Sequence, residues 1–288
     1  MRRFAALEVF MSIFAAVVLA LAAGITEFIP VSGTGHLNIL AKLLGVQAAG
    51  AEFRAYRGAV LLGCALALLL FYRFQVLDVL REALVLLGIL RPARRSRALP
   101  FGRRLGLLLV LSLLPMVLSL LLGKLRAEAE LGAHSLALVS LFLALSGVAL
   151  FFAGRAAAEK RDIHQLTLND SLLAGGIQAV SVLPGLSRTG CVMSLLLAQG
   201  LEGPAALEFS GLMGILPLLV AGLWELIGAG AEAISAPMLI LGCALSALTG
   251  FFTLRYLTEL LTRRKPTLFA YWCWGASILA LILFLISA

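Results

Sequence analysis

Residues 26–40, TEFIPVSGTGHLNIL, interrupt an apolar N-terminal region with an acid, a proline, hydroxyl side chains and a histidine. An apolar run precedes this stretch and a leucine-rich segment follows it. A simple loop between two helices would account for the break. The alternative is a polar site at membrane depth, since backbone that leaves the helix inside a membrane must be buried in protein or line a water-filled cavity.

The composition is that of a polytopic membrane protein. Of the 288 residues, 61% are hydrophobic and 13% are charged, whereas soluble domains carry about 45–50% apolar and about 25% charged residues. The net charge of +8 fits basic cytoplasmic loops rather than a nucleic-acid partner. The segments 73–104, 154–170 and 254–266 are rich in basic residues, which predicts that they face the cytoplasm.

Six apolar segments are long enough to cross a bilayer, which takes about 20 helical residues. They are about 56–72, 105–123, 135–153, 205–228, 237–257 and 267–287. Three further apolar segments, 24–46, 171–186 and 189–201, are too short or too interrupted to cross as single spans. We therefore predict an all-α polytopic membrane protein, with one integral membrane domain over 1–288.

A repeat relates the interrupted segments. Residues 32–35 read S-G-T-G after Pro30, and residues 187–190 read S-R-T-G after Pro184. A short apolar helix and a full span follow each break. The order of the loops predicts two inverted halves, about 1–153 and 154–288. Such paired Gly- and Pro-interrupted segments point to a binding site near the membrane midplane.

Two facing breaks would share one polar pocket, whose residue types favour phosphate chemistry. Arg188 brings a fixed positive charge and a planar set of donors that suits phosphate. Glu27 supplies an acid, and His36 titrates near neutral pH, so the set indicates phosphoryl transfer or hydrolysis. The candidate catalytic residues are Glu27, His36, Ser187 and Arg188. The candidate substrate-binding residues are Ser32, Thr34, Gly185, Arg188, Thr189 and Gly190.

The candidate residues also have structural interpretations. Glu27 and Arg188 could form a purely structural ion pair, because ionisable groups in a membrane need partners. His36 could be a satisfied polar residue without a chemical role. Ser187 and Thr34 could each cap the N-terminus of a helix.

Prolines and aromatic residues elsewhere have structural interpretations as well. Pro115 and Pro217 are predicted to kink spanning helices. Tyr271, Trp272 and Trp274 are typical of an aromatic belt at a membrane interface.

The two motifs together resemble those of the undecaprenyl-diphosphate phosphatases, the bacitracin-resistance type of membrane phosphatase. GITEFIPVSGTGHL is similar to that family's E/Q-G-x-T-E-F-L-P-V-S-S-T-G-H motif, and LPGLSRTG is similar to its P-G-x-S-R-S-G-x-T motif. AALEFSGLMGILPLLVAG (205–222) and FAYW (269–272) resemble its A-x-x-F-S-F-L-L-x-I-P and F-A-x-Y stretches. The resemblance thus covers most of the chain.

The resemblance implies six spanning helices and two re-entrant hairpins in an inverted repeat, in the inner (plasma) membrane, with a site open to the outer face. It implies removal of the terminal phosphate of undecaprenyl diphosphate, a polyprenyl diphosphate lipid that carries cell-wall precursors, with a divalent cation such as Mg²⁺ or Ca²⁺. By motif, Glu27 matches the acid that acts with the metal, and His36 matches the motif histidine. Arg188 matches the phosphate-binding arginine, and Ser187 a nucleophile or phosphate ligand.

The chain departs from the family pattern most sharply at three positions. Ala23 stands at the first Glu/Gln position, Gly33 at the second Ser of S-S-T-G-H, and Val192 at the terminal Thr. The loss of a carboxylate at Ala23 predicts weaker cation binding and slower catalysis. The alternative function is therefore a polyprenyl-phosphate transporter or flippase, or a lipid-phosphate-binding homologue with weakened catalysis. Whether the protein forms a homodimer is left open.

Overall fold

The structure, a computed structural model, describes residues 11–47, 50–91, 100–122, 125, 135–155, 161–230, 233–263 and 266–287. In chain order the α-helices are α1 (Ile13–Thr26), α2 (Gly33–Leu43), α3 (Ala51–Phe71), α4 (Arg73–Leu86), α5 (Phe101–Leu113), α6 (Leu118–Leu121), α7 (Ser135–Ala153), α8 (Leu168–Val180), α9 (Arg188–Ala198), α10 (Gly203–Ala229), α11 (Ala236–Arg263) and α12 (Thr267–Ser287). Within the described ranges the only β-type pairing is one isolated bridge, between Arg161 and Leu201. The predicted all-α class is confirmed.

Five helices of the described ranges are long and apolar enough to cross a membrane, namely α3, α7, α10, α11 and α12. The predicted spans 135–153 and 267–287 coincide with α7 and α12. The predicted spans 56–72, 205–228 and 237–257 fall largely on α3, α10 and α11, whose ends they miss by a few residues. The chain is therefore a multi-pass membrane protein.

The predicted span 105–123 is not one continuous helix in the part that the structure describes. α5 gives way to a 3₁₀ turn at Leu114–Val117, and α6 covers only Leu118–Leu121. Pro115 lies in this turn, and a continuous α-helix is disfavoured there because proline lacks an N–H and its ring would clash with the preceding helical turn. Pro217, by contrast, lies inside the continuous helix α10.

The long helices pack in two groups. α3 lies against both α10 and α11, while α7 packs on α12. Small residues allow this approach: a Cβ at Gly58 would lie 2.8 Å from the carbonyl oxygen of Gly222, and one at Gly222 would lie 2.9 Å from that of Gly58. Close packing through small residues drives helix association in membranes, where lipid is as apolar as leucine.

The chain segments before and after the short helix pair α1–α2 lie next to each other. The backbone N–H of Met11, just before α1, donates to both carboxylate oxygens of Glu52 at 3.0 Å. Glu52 lies in the first turn of α3, shortly after α2 ends. α1 has 14 residues, so it is about 20 Å long, which is shorter than a hydrocarbon core of ~30 Å.

The short pair α8–α9 is closed in the same way. The backbone N–H of Arg161, before α8, donates to the carbonyl oxygen of Gly200, after α9, at 3.0 Å. The Arg161 side chain donates to the carbonyl oxygen of Gln199 at 2.8 Å and to Asp170 Oδ2, in the first turn of α8, at 2.6 Å. The two ends of this pair therefore also meet at one place.

A buried ion cluster joins α3 to α10. The Glu225 carboxylate accepts hydrogen bonds from Arg54 Nε at 2.8 Å and from Arg57 Nη2 at 2.7 Å. Glu225 is only 4% exposed. Arg54 also donates to the carbonyl oxygen of Gly228 at 3.3 Å. Because one carboxylate of α10 binds two guanidinium groups of α3, the cluster fixes the relative position of these two helices.

Glu225→Gln should destabilise the protein by about 3 kcal/mol, because two guanidinium groups then lose the charge that they share in a region of low dielectric. Thermal unfolding of the purified protein in detergent measures the effect. Glu202→Ala is the matched control, since Glu202 is exposed at the N-cap of the same helix. Equal unfolding temperatures for the two variants would contradict this account of the cluster.

Candidate functional site

Each interrupted segment is a turn followed by a short helix with a serine N-cap. Ser32 Oγ accepts a hydrogen bond from the Gly35 N–H at 3.2 Å, and Ser187 Oγ accepts one from the Gly190 N–H at 3.1 Å. The two helices, α2 and α9, have 11 residues each. The N-cap interpretation of Ser187 is confirmed. In the first break Ser32 is the N-cap, and Thr34 lies inside the first turn of α2.

The tips of the two breaks touch each other. A Cβ at Gly35 would lie 3.1 Å from the Cα of Gly185, and a Cβ at Gly190 would lie 2.8 Å from the carbonyl oxygen of Pro30. These contacts correspond, because Pro30 and Gly35 precede Gly185 and Gly190 by the same offset along the chain. Gly185 has φ +101°, a conformation that side chains rarely adopt, so glycine is required there.

Glu27 and Arg188 form an ion pair where the tips meet. Arg188 Nη2 lies 3.0 Å from Glu27 Oε1, and the side chains are 13% and 11% exposed. Arg188 Nη1 also donates to the carbonyl oxygen of Ser210 at 3.3 Å, and Thr189 Oγ1 donates to the carbonyl oxygen of Glu27 at 3.1 Å. The structure thus brings together Glu27, Arg188 and Thr189, three of the predicted site residues.

Two glycines make room for this ion pair. A Cβ at Gly33 would overlap the Glu27 carboxylate, and a Cβ at Gly214 would overlap the Arg188 guanidinium. Gly33 is the first residue of α2, so the carboxylate lies beside the N-terminus of that helix. The positive end of the helix dipole favours an anion there. Gly214 lies on α10, and no feature of the sequence marked it as part of the site.

Ser146 anchors the second tip, and the motifs did not reveal it. Its hydroxyl accepts a hydrogen bond from the Ser187 N–H at 2.8 Å. The same hydroxyl lies 3.2 Å from the carbonyl oxygen of Gly185 and 3.0 Å from that of Phe142, to either of which it can donate. Ser146 is fully buried on α7. A lone serine in an apolar span gives no sequence signal until its partners are known.

Both ring nitrogens of His36 have partners in the structure. Its Nδ1 lies 2.8 Å from the carbonyl oxygen of Ser32, and its Nε2 accepts a hydrogen bond from Trp272 Nε1 at 2.9 Å. Since a carbonyl can only accept, Nδ1 carries the proton and the ring is neutral in this arrangement. The indole and imidazole rings lie nearly parallel, with centroids 6.4 Å apart. Trp272 was predicted only as part of an aromatic belt, but it also donates a hydrogen bond to a specific side chain.

Two of the three departures from the family pattern, Ala23 and Val192, lie in apolar surroundings. Ala23 is 2% exposed, in a cluster with Leu19, Leu37 and Val60, and Val192 is fully buried in the main core. Among the residues that the structure describes, no group of three acidic, histidine or cysteine side chains could hold a metal ion. Glu27 is the one carboxylate among the predicted site residues, so a divalent cation there would take its other ligands from substrate phosphate oxygens and water. A cation at Glu27 stays a prediction.

Comparisons with known proteins find a family and several relatives that this chain resembles. The family model described as bacitracin resistance protein BacA matches residues 16–279. An undecaprenyl-diphosphatase of Acidothermus cellulolyticus is 31% identical over 258 residues, which are 89% of this chain and 91% of the relative. An undecaprenyl-diphosphatase of Syntrophotalea carbinolica is 33% identical over 270 residues, 92% of this chain and 96% of the relative. One of Anaeromyxobacter sp. strain K is 34% identical over 282 residues, 95% and 92% of the two chains.

Gly214→Ala should weaken the binding of inorganic diphosphate about tenfold, which corresponds to ~1.4 kcal/mol. The added methyl group displaces the Arg188 guanidinium from its place against α10. Calorimetric titration of the purified protein measures this affinity. Gly275→Ala on α12 is the control, because a Cβ there meets nothing within 4 Å. Wild-type affinity in the Gly214 variant would show that Arg188 binds the anion from another position.

Proposed function

Because the family match covers most of the chain, the protein belongs to the bacitracin resistance protein BacA family, and we propose that it is a membrane phosphatase that hydrolyses undecaprenyl diphosphate. The products are undecaprenyl monophosphate, which re-enters the carrier cycle of cell-wall synthesis, and inorganic phosphate. Three relatives at 31–34% identity carry the name undecaprenyl-diphosphatase. Resistance to bacitracin fits a family that acts on this lipid.

The observation that carries the proposal is the ion pair of Glu27 with Arg188 at the contact of the two tips. Arg188 is a paired-donor ligand for a phosphate group, and it stands at the N-terminus of α9, where backbone N–H groups and the helix dipole favour an anion. A bound diphosphate competes with Glu27 for the guanidinium. Its arrival at Arg188 releases the Glu27 carboxylate for work on the substrate.

In the proposed reaction, the bridging P–O bond of the diphosphate breaks, and the terminal phosphoryl group passes to the nucleophile, with a new P–O bond to Ser187 Oγ or a new P–N bond to His36 Nε2. Undecaprenyl monophosphate leaves with the bridging oxygen, and water then hydrolyses the new bond and releases inorganic phosphate. Arg188 clamps the diphosphate and offsets the charge that develops on it. Glu27 and His36 are the groups that accept and donate protons, and His36 or Ser187 are the candidate nucleophiles. Thr189, Gly185 and Gly190 complete the second tip, while Ser32 and Thr34 belong to the first.

We propose that both short helix pairs are re-entrant hairpins in an inverted repeat, with halves near 1–153 and 154–288. Three observations support this. α2 and α9 have equal length and serine N-caps. The ends of each pair meet, through Met11 with Glu52 and through Arg161 with Gly200. Finally, α1 packs on α11 of the second half, and α8 packs on α5 of the first.

The broken segment α5–α6 is the sixth span of this proposal, kinked at Pro115. The basic segments 73–104, 154–170 and 254–266 then lie in the cytoplasm, and the first hairpin enters from the outer face of the inner (plasma) membrane. Part of each basic segment lies outside the described residues. Cysteine scanning with a membrane-impermeant thiol reagent, starting with Arg73→Cys and Gly230→Cys, tests this topology.

A polyprenyl-phosphate transporter or flippase is the second candidate function. It is favoured by the same contact of hairpin tips, because broken helices that meet between inverted halves are typical of secondary transporters. The buried Ala23, where the family pattern has an acid, also favours a protein that binds lipid phosphate without efficient catalysis. Translocation of a fluorescent polyprenyl phosphate between the leaflets of proteoliposomes tests this function.

Arg188→Ala should lower phosphate release from farnesyl diphosphate and undecaprenyl diphosphate by roughly a hundredfold or more, because the donors that stabilise the developing charge are lost. Release of inorganic phosphate by the purified protein is the measurement. Arg73→Ala is the control, since Arg73 is exposed and its described contacts are the backbone carbonyl of Leu70 and the ring of Phe74. Wild-type release no higher than that of Arg188→Ala, at every divalent cation tried, would remove the enzyme proposal.

Ala23→Glu should raise divalent-cation-dependent phosphate release about tenfold, because the added carboxylate lies one helical turn before Glu27 and can share a cation with it. Ala16→Glu is the matched control, since Ala16 is buried in the same cluster of α1 but farther from Glu27 along the helix. Both variants should lose thermal stability, and only the first should bind Mn²⁺ in the absence of substrate. Unchanged Mn²⁺ binding in Ala23→Glu would show that residue 23 does not reach a cation at Glu27.

A further inference from the structure

The imidazole of His36 is fixed at both of its nitrogen atoms. Nδ1–H donates to the carbonyl oxygen of Ser32, one turn earlier in the first hairpin, at 2.8 Å. Nε2 accepts the indole N–H of Trp272, which comes from α12, at 2.9 Å. The two rings lie nearly parallel, at 21°. The first contact comes from the local turn, whereas the second depends on the packing of a distant helix.

We propose that Trp272 is a positioning residue for His36, which holds the ring in its neutral Nδ1–H tautomer and aims Nε2. The tautomer of a histidine is set by the hydrogen bonds that its two nitrogens make. Here the Ser32 carbonyl requires a proton on Nδ1, and the Trp272 N–H requires a lone pair on Nε2. Neither contact alone fixes both the tautomer and the rotation of the ring.

The surroundings of Trp272 distinguish this role from ordinary membrane anchoring. Trp272 is 61% exposed and Trp224 is 68% exposed, so both present most of the indole to the outside of the protein. Trp274, two residues farther along α12, donates its N–H to the backbone carbonyl of Ala144 at 3.2 Å. Of these two α12 indoles, Trp272 donates to a side chain that can itself bind and release protons.

The consequence for the chemistry rests on the proposed function, in which His36 transfers a proton or attacks phosphorus. Either step uses the Nε2 lone pair, because Nδ1 already carries a proton. Before substrate binds, the hydrogen bond from the Trp272 N–H to this lone pair keeps the His36 ring in place. The substrate then competes with Trp272 for the lone pair. Correct placement of a reacting group before the reaction is worth a large factor in rate.

Trp272→Phe removes the N–H donor and keeps an aromatic ring, and the exposure of Trp272 means that little packing is lost. Trp272→Tyr supplies a phenol O–H as a replacement donor. Trp274→Phe is the matched control, since it removes an indole N–H donor on the same helix without affecting His36. All variants are made in the full chain and reconstituted in lipid nanodiscs.

The first measurement is nuclear magnetic resonance of protein that contains nitrogen-15 histidine, without substrate. The chain has 3 histidines, and His36→Gln identifies the His36 signals. In the wild type we expect a protonated Nδ1 and a hydrogen-bonded, unprotonated Nε2. Trp272→Phe should shift the Nε2 resonance to that of a nitrogen without this donor, Trp272→Tyr should restore it, and Trp274→Phe should leave it unchanged.

The second measurement is phosphate release from farnesyl diphosphate. Trp272→Phe should lower kcat by roughly tenfold to a hundredfold with KM essentially unchanged, because ring placement is lost while Arg188 still binds the diphosphate. Trp272→Tyr should recover most of the rate. An unchanged His36 spectrum in Trp272→Phe, or an equal fall in kcat in Trp274→Phe, overturns the proposal. If the wild type releases no phosphate, the proposed function fails, and the spectra alone decide whether Trp272 sets the state of His36.

Discussion

A break in a helix can be kept inside an apolar protein only if its backbone groups find partners there, and in this chain the second break supplies one to the first, since Thr189 Oγ1 donates to the carbonyl oxygen of Glu27. Gly35 packs against Gly185, and Gly190 packs against the Pro30 carbonyl. Serines supply further partners: one N-cap in each tip, Ser32 and Ser187, and Ser146 from a spanning helix. The close approach of the two tips is also what brings the first tip's acid to the second tip's arginine.

Two glycines, whose lack of a side chain leaves space, are as important to the contact between the tips as the residues that form the ion pair. The Glu27 carboxylate uses the space above Gly33, and the Arg188 guanidinium uses the space above Gly214. A serine at position 33, which the family pattern has, would need Glu27 to turn elsewhere. In this chain Gly33 therefore allows Glu27 to pair directly with Arg188. The chain also has the apolar Ala23 at the position where the family pattern has a second acid.

The sequence predicted the parts of the fold that depend on local composition. Apolar length located α7 and α12 to the residue, but it could not show that Pro115 ends a helix while Pro217 leaves one intact, since neighbouring helices decide that. In the site, charge and motif predicted Glu27 with Arg188. Gly214 and Ser146 were missed, because an isolated glycine or serine in a span acquires meaning only from the partner that packs on it.

The ion pair and the proposed phosphate site are compatible because Arg188 cannot remain without an anion. Arg188 is the first residue of α9, where the positive end of the helix dipole disfavours a cation. Burial adds to this cost, since an uncompensated charge in low dielectric is strongly destabilising. Without substrate, the Glu27 carboxylate is the anion that pairs with Arg188. When a substrate displaces it from Arg188, Glu27 still lies beside the N-terminus of α2, which favours a negative charge. A diphosphate carries more charge and more acceptor oxygens than one carboxylate, so it is the stronger partner for the same guanidinium.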